Sequence, residues 1–137
     1  MTFQRLILIN ALIFIALGIA FCIYAPLIMA LFQIAEIEEM DVLAYWNIAA
    51  FIRLSGGGIF LCGLLLWAIR SALPELSVQS IKGINFSLFI GFLVFFIVGL
   101  SQQVLVWQKI AGWILIALLF VFLSFYGFFL FQDNKEN

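Results

Sequence analysis

The chain has 137 residues, of which 67% are hydrophobic and 9% charged, against roughly 45–50% apolar and about 25% charged in an ordinary soluble domain. One small core cannot hide that much apolar surface behind so few charges, so the composition points to lipid as the surrounding medium and excludes a water-soluble domain. Six basic and seven acidic residues leave a net charge of −1, which offers no cationic surface to nucleic acid, and the absence of histidine removes imidazole-ligated haem or zinc and imidazole-based catalytic dyads.

In chain order, four segments approach or exceed the roughly 20 apolar residues that cross a hydrocarbon core of about 30 Å. The first covers about residues 6–31, with Asn10 as its one strongly polar side chain and Pro26 where the helix should kink or leave the membrane. Its apolar stretch is too long for a signal-peptide core, and Phe21 before Cys22 is not a small cleavage residue, so it is expected to remain as an anchor. Residues 33–47 form the largest connection. Ile34, Ile37, Met40 and Ala44 share one helical face there while Glu36 and Glu39 lie elsewhere, which predicts a short helix resting on the outer surface.

The second span covers about residues 48–69 and is followed by a turn at Ser71-Ala72-Leu73-Pro74-Glu75. The third, about 84–100, is the shortest, with an extension toward Gln102 or Gln103, and the fourth covers about 110–131. Short connections make successive spans antiparallel neighbours. The expected fold is therefore all-α: a single membrane domain over residues 1–137, built as a four-helix bundle running up-down-up-down.

Lysine and arginine are retained on the cytoplasmic side of a membrane. Arg5, Arg70, Lys82 and Lys135 all fall on one side of the four spans, whereas the other side receives Lys109, Arg53 and the acidic set Glu36, Glu38, Glu39 and Asp41. Both termini are thus expected in the cytoplasm. Tyr45, Trp46 and Trp107 fit an outer aromatic belt and Trp67 an inner one, with Trp113 deeper in the fourth span. A weak internal repeat accompanies this layout. Ile9-Asn10-Ala11-Leu12-Ile13-Phe14-Ile15-Ala16 aligns with Ile84-Asn85-Phe86-Ser87-Leu88-Phe89-Ile90-Gly91, and Ile48-Ala49-Ala50-Phe51-Ile52 with Ile110-Ala111-Gly112-Trp113-Ile114, as a parallel duplication of a helical hairpin would.

Arg53 is the residue with most chemical content. It lies five residues into the second span, where arginine costs up to roughly 2.5–3.5 kcal/mol at the centre and less toward the edge. At 100° per residue, Ala49, Ala50, Gly56 and Gly57 lie within about 60° of it, so it is expected to face the bundle beside a recess of small residues. Gly56-Gly57-Gly58 would also weaken the helix and favour local unwinding or a kink. Gln102 and Gln103, the outer carboxylates and Tyr24 are the acceptors on the same side. Arg53 snorkels to phosphate headgroups or pairs with a loop carboxylate, or forms with Gly56, Gly57, Gln102 and Gln103 a site for an anionic headgroup, carboxylate or quinone oxygen, or meets another subunit.

Weaker features have structural readings. Asn10, Asn85 and Ser87 suit inter-helix hydrogen bonds, Ala16 and Ala20 suit helix packing, and Cys22 and Cys62 read as buried free thiols without a Cys-x-x-Cys relay. No carboxylate falls in a span, no Gly-x-Ser-x-Gly is present, and the three glycines lack the following Lys-Ser/Thr of a nucleotide loop. No catalytic, cofactor or metal residue is assigned.

Pro26 at the end of the first span and Arg53-Leu54-Ser55-Gly56-Gly57-Gly58 opening the second resemble the small bacterial four-helix DoxX-like membrane proteins, with their arginine followed by a glycine pair. The resemblance covers the four-span layout over most of the chain. It implies the same topology in a bacterial inner membrane and draws attention to Arg53, without supplying a substrate. The expected function is non-catalytic: an accessory or assembly subunit acting by helix packing and its acidic outer loop, with the lipid bilayer and another membrane protein or a second copy as partners. The alternative is a small binding or transport module at the recess around Arg53.

Overall fold

The computed structural model describes residues 2–32 and 41–133. The elements are α1 (Phe3–Ile23), α2 (Ala25–Phe32), α3 (Val42–Ala72), a 3₁₀ turn (Leu73–Glu75), α4 (Val78–Gln102), a π-helical turn (Gln103–Trp107) and α5 (Ile110–Asp133). Four stretches are long and apolar enough to cross a membrane: Phe3–Ile23, Val42–Glu75, Val78–Leu105 and Ile110–Gln132. At most 28% of any of their apolar windows is buried, so most of this apolar surface faces outward, as lipid-bathed helices require. The chain divides into two compact units, Met1–Ser71 and Ala72–Asn137. The division falls between the two halves that the internal repeat compares.

In the first unit, small residues seven apart hold the helices together. Ala11, Gly18 and Ala25 are buried on one side, and Ala49, Gly56 and Gly63 on the other. A seven-residue repeat keeps one seam turned toward a partner helix. A Cβ added at Gly18 would fall 2.5 Å from the Phe60 backbone N, one at Gly56 2.8 Å from Cys22 N, and one at Gly63 2.8 Å from Ile15 N. Gly63 thus lies opposite Ile15 and Ala11 while Gly56 lies opposite Gly18 and Cys22, so α1 and α3 run antiparallel, with Arg5 and Arg70 at the same end. Lipid offers no hydrophobic drive between helices, and close backbone approach supplies dispersion contact in its place.

The seam differs from the expected one. Ala16 is exposed and Ala20 only half-buried, because α1 turns the seven-residue spacing, not the four-residue one, toward α3. Nor does α3 unwind there: it continues as α-helix through Gly56, Gly57 and Gly58 with no positive φ. Glycine costs about 1 kcal/mol in a helix interior, and the packing of Gly56 and Gly63 against α1 offsets it.

The break falls instead at Tyr24, φ −108 and ψ 35, between α1 and α2. Pro26 is the second residue of α2, a position where its missing N–H has no helical acceptor to lose. α2 folds against the beginning of α3 through Ala25, Met29 and Ala49, with Tyr45, Ile48 and Ile52 around them. Of the predicted surface helix, residues 33–40 lie outside the described ones. Ala44 belongs to α3, which starts at Val42 rather than near residue 48.

In the second unit, Ser77 caps α4, its hydroxyl accepting the Ser80 N–H at 3.2 Å. The helix therefore starts at Val78, ahead of the expected 84, and is not the shortest span. α4 and α5 are antiparallel. Phe92 stacks on Tyr126, ring centroids 5.3 Å apart and 16° between planes, and meets Phe122 at 5.3 Å. Phe96 meets Phe120, while Phe89 lies over Gly127 and Leu119 over Gly99. Between the helices, the Gln108 N–H donates to the Gln103 carbonyl at 2.9 Å, and Gln108 ends the turn in the left-handed region at φ 50 and ψ 24.

Candidate functional site around Arg53

α3 fixes the surroundings of Arg53. Its buried seam runs through Ala49, against α2, and Gly56, against α1, three or four residues on either side of Arg53, which therefore sits at the seam's flank and is exposed. The charge that was expected to face the helix pair is turned out of it, because the α1 backbone occupies the space above Gly56: a Cβ there would meet Cys22 N, Phe21 Cβ and Gly18 O within 2.9 Å. The Cys22 thiol donates to the Arg53 carbonyl at 3.5 Å, tying the two helices at this level. The guanidinium carbon lies 6.0 Å from the centroid of the Trp46 ring, within the range of a cation–π contact. No carboxylate among the described residues pairs with it.

The candidate residues separate into three environments. Arg53 and Gly57 share an exposed face, and a Cβ at Gly57 would meet nothing within 4 Å. Gly56 lies in the helix seam. Gln102 and Gln103 belong to the second unit, at the end of α4. Gln103 is fully buried; its Nε2 donates to the Lys109 carbonyl at 2.9 Å, while Oε1 accepts no hydrogen bond among the described residues. The side chain closes the α4–α5 turn rather than standing open as an acceptor. Tyr24 and Asp41 are exposed, and Glu36, Glu38 and Glu39 lie outside the described residues.

Trp46 was not singled out beside Arg53 in the sequence, although a separation of seven residues puts two side chains on one helical face. The remaining polar groups serve their own helices. Ser71, Ser87, Ser101 and Ser124 each donate to a carbonyl three or four residues back, so Ser87 makes no inter-helix bond. Asn10 and Asn85 are both buried. Cys22 and Cys62 are free thiols, but only half-buried and exposed respectively. Among the described residues no three histidine, cysteine, aspartate or glutamate side chains gather as a metal site would need. No family model, no curated protein and no solved structure matches the chain.

Proposed function

We propose that the chain is a non-catalytic, multi-pass component of a bacterial inner membrane, an accessory or assembly subunit that works through its helix faces and the acidic segment carrying Glu36, Glu38, Glu39 and Asp41. In this reading the four spans cross up-down-up-down as one bundle with both termini in the cytoplasm, and the DoxX-like resemblance of the Arg53 motif describes its kinship. The observation that carries it is the internal use of polar groups: the helix serines named above bond their own backbone, and Gln103 closes a turn. Side chains held in this way are not poised for proton transfer, which requires an acid or base within reach of a reacting group.

Purification in mild detergent followed by native mass spectrometry tests the reading. A protein partner retained at fixed stoichiometry is the expected result. The chain alone, carrying a small ligand that is lost in Arg53→Ala, would replace it with the second reading: a binding or transport module for an anionic or quinone-like ligand. That reading is favoured by one specific observation, the outward guanidinium of Arg53 beside the open surface at Gly57.

A further inference from the structure

α3 carries no charged side chain between Arg53 and Arg70, a rise of about 26 Å at 1.5 Å per residue. Centring that stretch in the bilayer places the Arg53 Cα about 13 Å from the midplane, close to the edge of a hydrocarbon core whose half-thickness is about 15 Å. Side chains on an α-helix lean toward its N-terminus. Arg53 does so, its guanidinium reaching back toward Trp46, seven residues N-terminal and farther from the midplane. Tryptophan belongs to the headgroup level, so the charge is carried to the depth of the lipid phosphates.

The same face continues toward the midplane. Gly57 is one turn below Arg53 and leaves the helix surface bare, since a Cβ there would meet nothing within 4 Å. Below it Leu61 and Leu64 are both exposed. Reading downward, the stripe presents an indole, a guanidinium, a bare glycine surface and two leucines, which matches the order of a phospholipid from headgroup to acyl chain. A cation–π contact of this length engages none of the guanidinium N–H groups in a hydrogen bond, and the guanidinium fork matches two phosphate oxygens.

We infer that Trp46, Arg53 and Gly57 form a binding site for one phospholipid, with its phosphate on the Arg53 guanidinium and an acyl chain lying against the bare helix surface at Gly57 and over Leu61 and Leu64. This inference rests on the second reading above and names its ligand. Because Arg53 lies at the end of the stretch opposite Arg5 and Arg70, the lipid comes from the leaflet opposite the one those two arginines face.

Native mass spectrometry of the full chain with added dioleoylphosphatidylglycerol, dioleoylglycerol or sodium phosphate tests it. The wild type retains one phosphatidylglycerol. Arg53→Gln weakens that binding at least tenfold, equivalent to about 1.4 kcal/mol, Arg53→Lys weakens it less, and neither change alters the retention of dioleoylglycerol. Gly57→Leu covers the bare surface below Arg53 and weakens the lipid by a similar factor with its unfolding midpoint preserved, which separates lost binding from lost folding. Equal binding of phosphatidylglycerol by Arg53→Gln and wild type, or no effect of Gly57→Leu, overturns the proposal. If sodium phosphate stabilises the wild type but not Arg53→Gln, and no lipid is retained, the lipid is wrong and the anion site stands. If nothing depends on Arg53, both fall.

Discussion

Gly56 and Gly57 are consecutive residues of one helix with opposite surroundings, and alanine at each gives a controlled test of the α1–α3 seam. At Gly56 the new Cβ would lie 2.8 Å from Cys22 N, 2.8 Å from Phe21 Cβ and 2.9 Å from Gly18 O. Ordinary contacts between carbon atoms are about 3.5–4.0 Å, so α1 must withdraw by roughly 0.7–1 Å near this point. Two of the three obstructing atoms are backbone, so no rotamer change relieves the clash. A gap of about 0.5–1 Å forfeits a quarter to a half of each dispersion contact along the seam, and overpacking of this kind costs typically about 1–3 kcal/mol.

At Gly57 the same atom meets nothing within 4 Å. Both substitutions gain the same intrinsic helix propensity, about 1 kcal/mol, and both sit at the same depth, so their difference isolates the packing term. Gly57→Ala is expected to equal or exceed the wild type in stability, and Gly56→Ala to fall below Gly57→Ala by about 1–3 kcal/mol. Denaturation by sodium dodecyl sulfate in mixed micelles, followed by tryptophan fluorescence, measures the difference. Two variants agreeing within about 0.5 kcal/mol, the scatter of neutral surface changes, would refute the close approach of α1 and α3.

Three further outcomes follow from particular contacts. Phe92→Ala removes the ring stacked on Tyr126 and tilted against Phe122 and should destabilise the second unit by about 3–5 kcal/mol in the same assay; a loss below about 1 kcal/mol would be incompatible with that core, given the usual range for such truncations. Gln103→Ala breaks the bond from Nε2 to the Lys109 carbonyl, worth about 0.5–1.5 kcal/mol, and should speed amide exchange across residues 108–113 in hydrogen–deuterium exchange, whereas unchanged exchange there would deny the side chain a role in closing the turn. Cys22 lies level with Arg53 and Gly56, at least about 9 Å along α3 from Cys62, beyond the roughly 7 Å that a disulfide spans. A mild oxidant should therefore yield no intramolecular disulfide, and its rapid appearance on non-reducing gels would contradict the register.

The four membrane-length helices were legible because they depend on summed hydropathy over long runs, which no single contact can reverse. A helix break near Pro26, which falls two residues ahead of it at Tyr24, and the turn at Leu73–Glu75 were legible for a similar reason, since proline constrains the backbone directly. Helix starts were less so. Residues 42–47 and 78–83 include Asn47, Gln79 and Lys82, which lower local hydropathy without interrupting the helix, and only the Ser77 cap marks where α4 begins. The surroundings of Arg53 were half legible. Helical spacing grouped Ala49, Gly56 and Gly57 around it, but spacing alone does not say which edge of that group a partner helix covers. The role of Gln103 was not legible, because its acceptor is a backbone carbonyl that only the folded turn brings near.

The two units answer one physical problem in opposite ways. Where lipid surrounds both helices of a pair, burial of apolar area gives little net drive, and adhesion must come from packing better than lipid chains pack. The first unit does this by removing side chains: Ala11, Gly18, Ala25, Ala49, Gly56 and Gly63 let backbones approach. The second keeps large ones, with Phe92, Phe122 and Tyr126 interlocked and Phe89 and Leu119 lying over Gly127 and Gly99. Added volume should therefore injure the first seam and removed volume the second. That reciprocal sensitivity cannot arise from a general loss of hydrophobicity, since Gly56→Ala raises apolar content while Phe92→Ala lowers it, yet both should destabilise the pair of helices they touch.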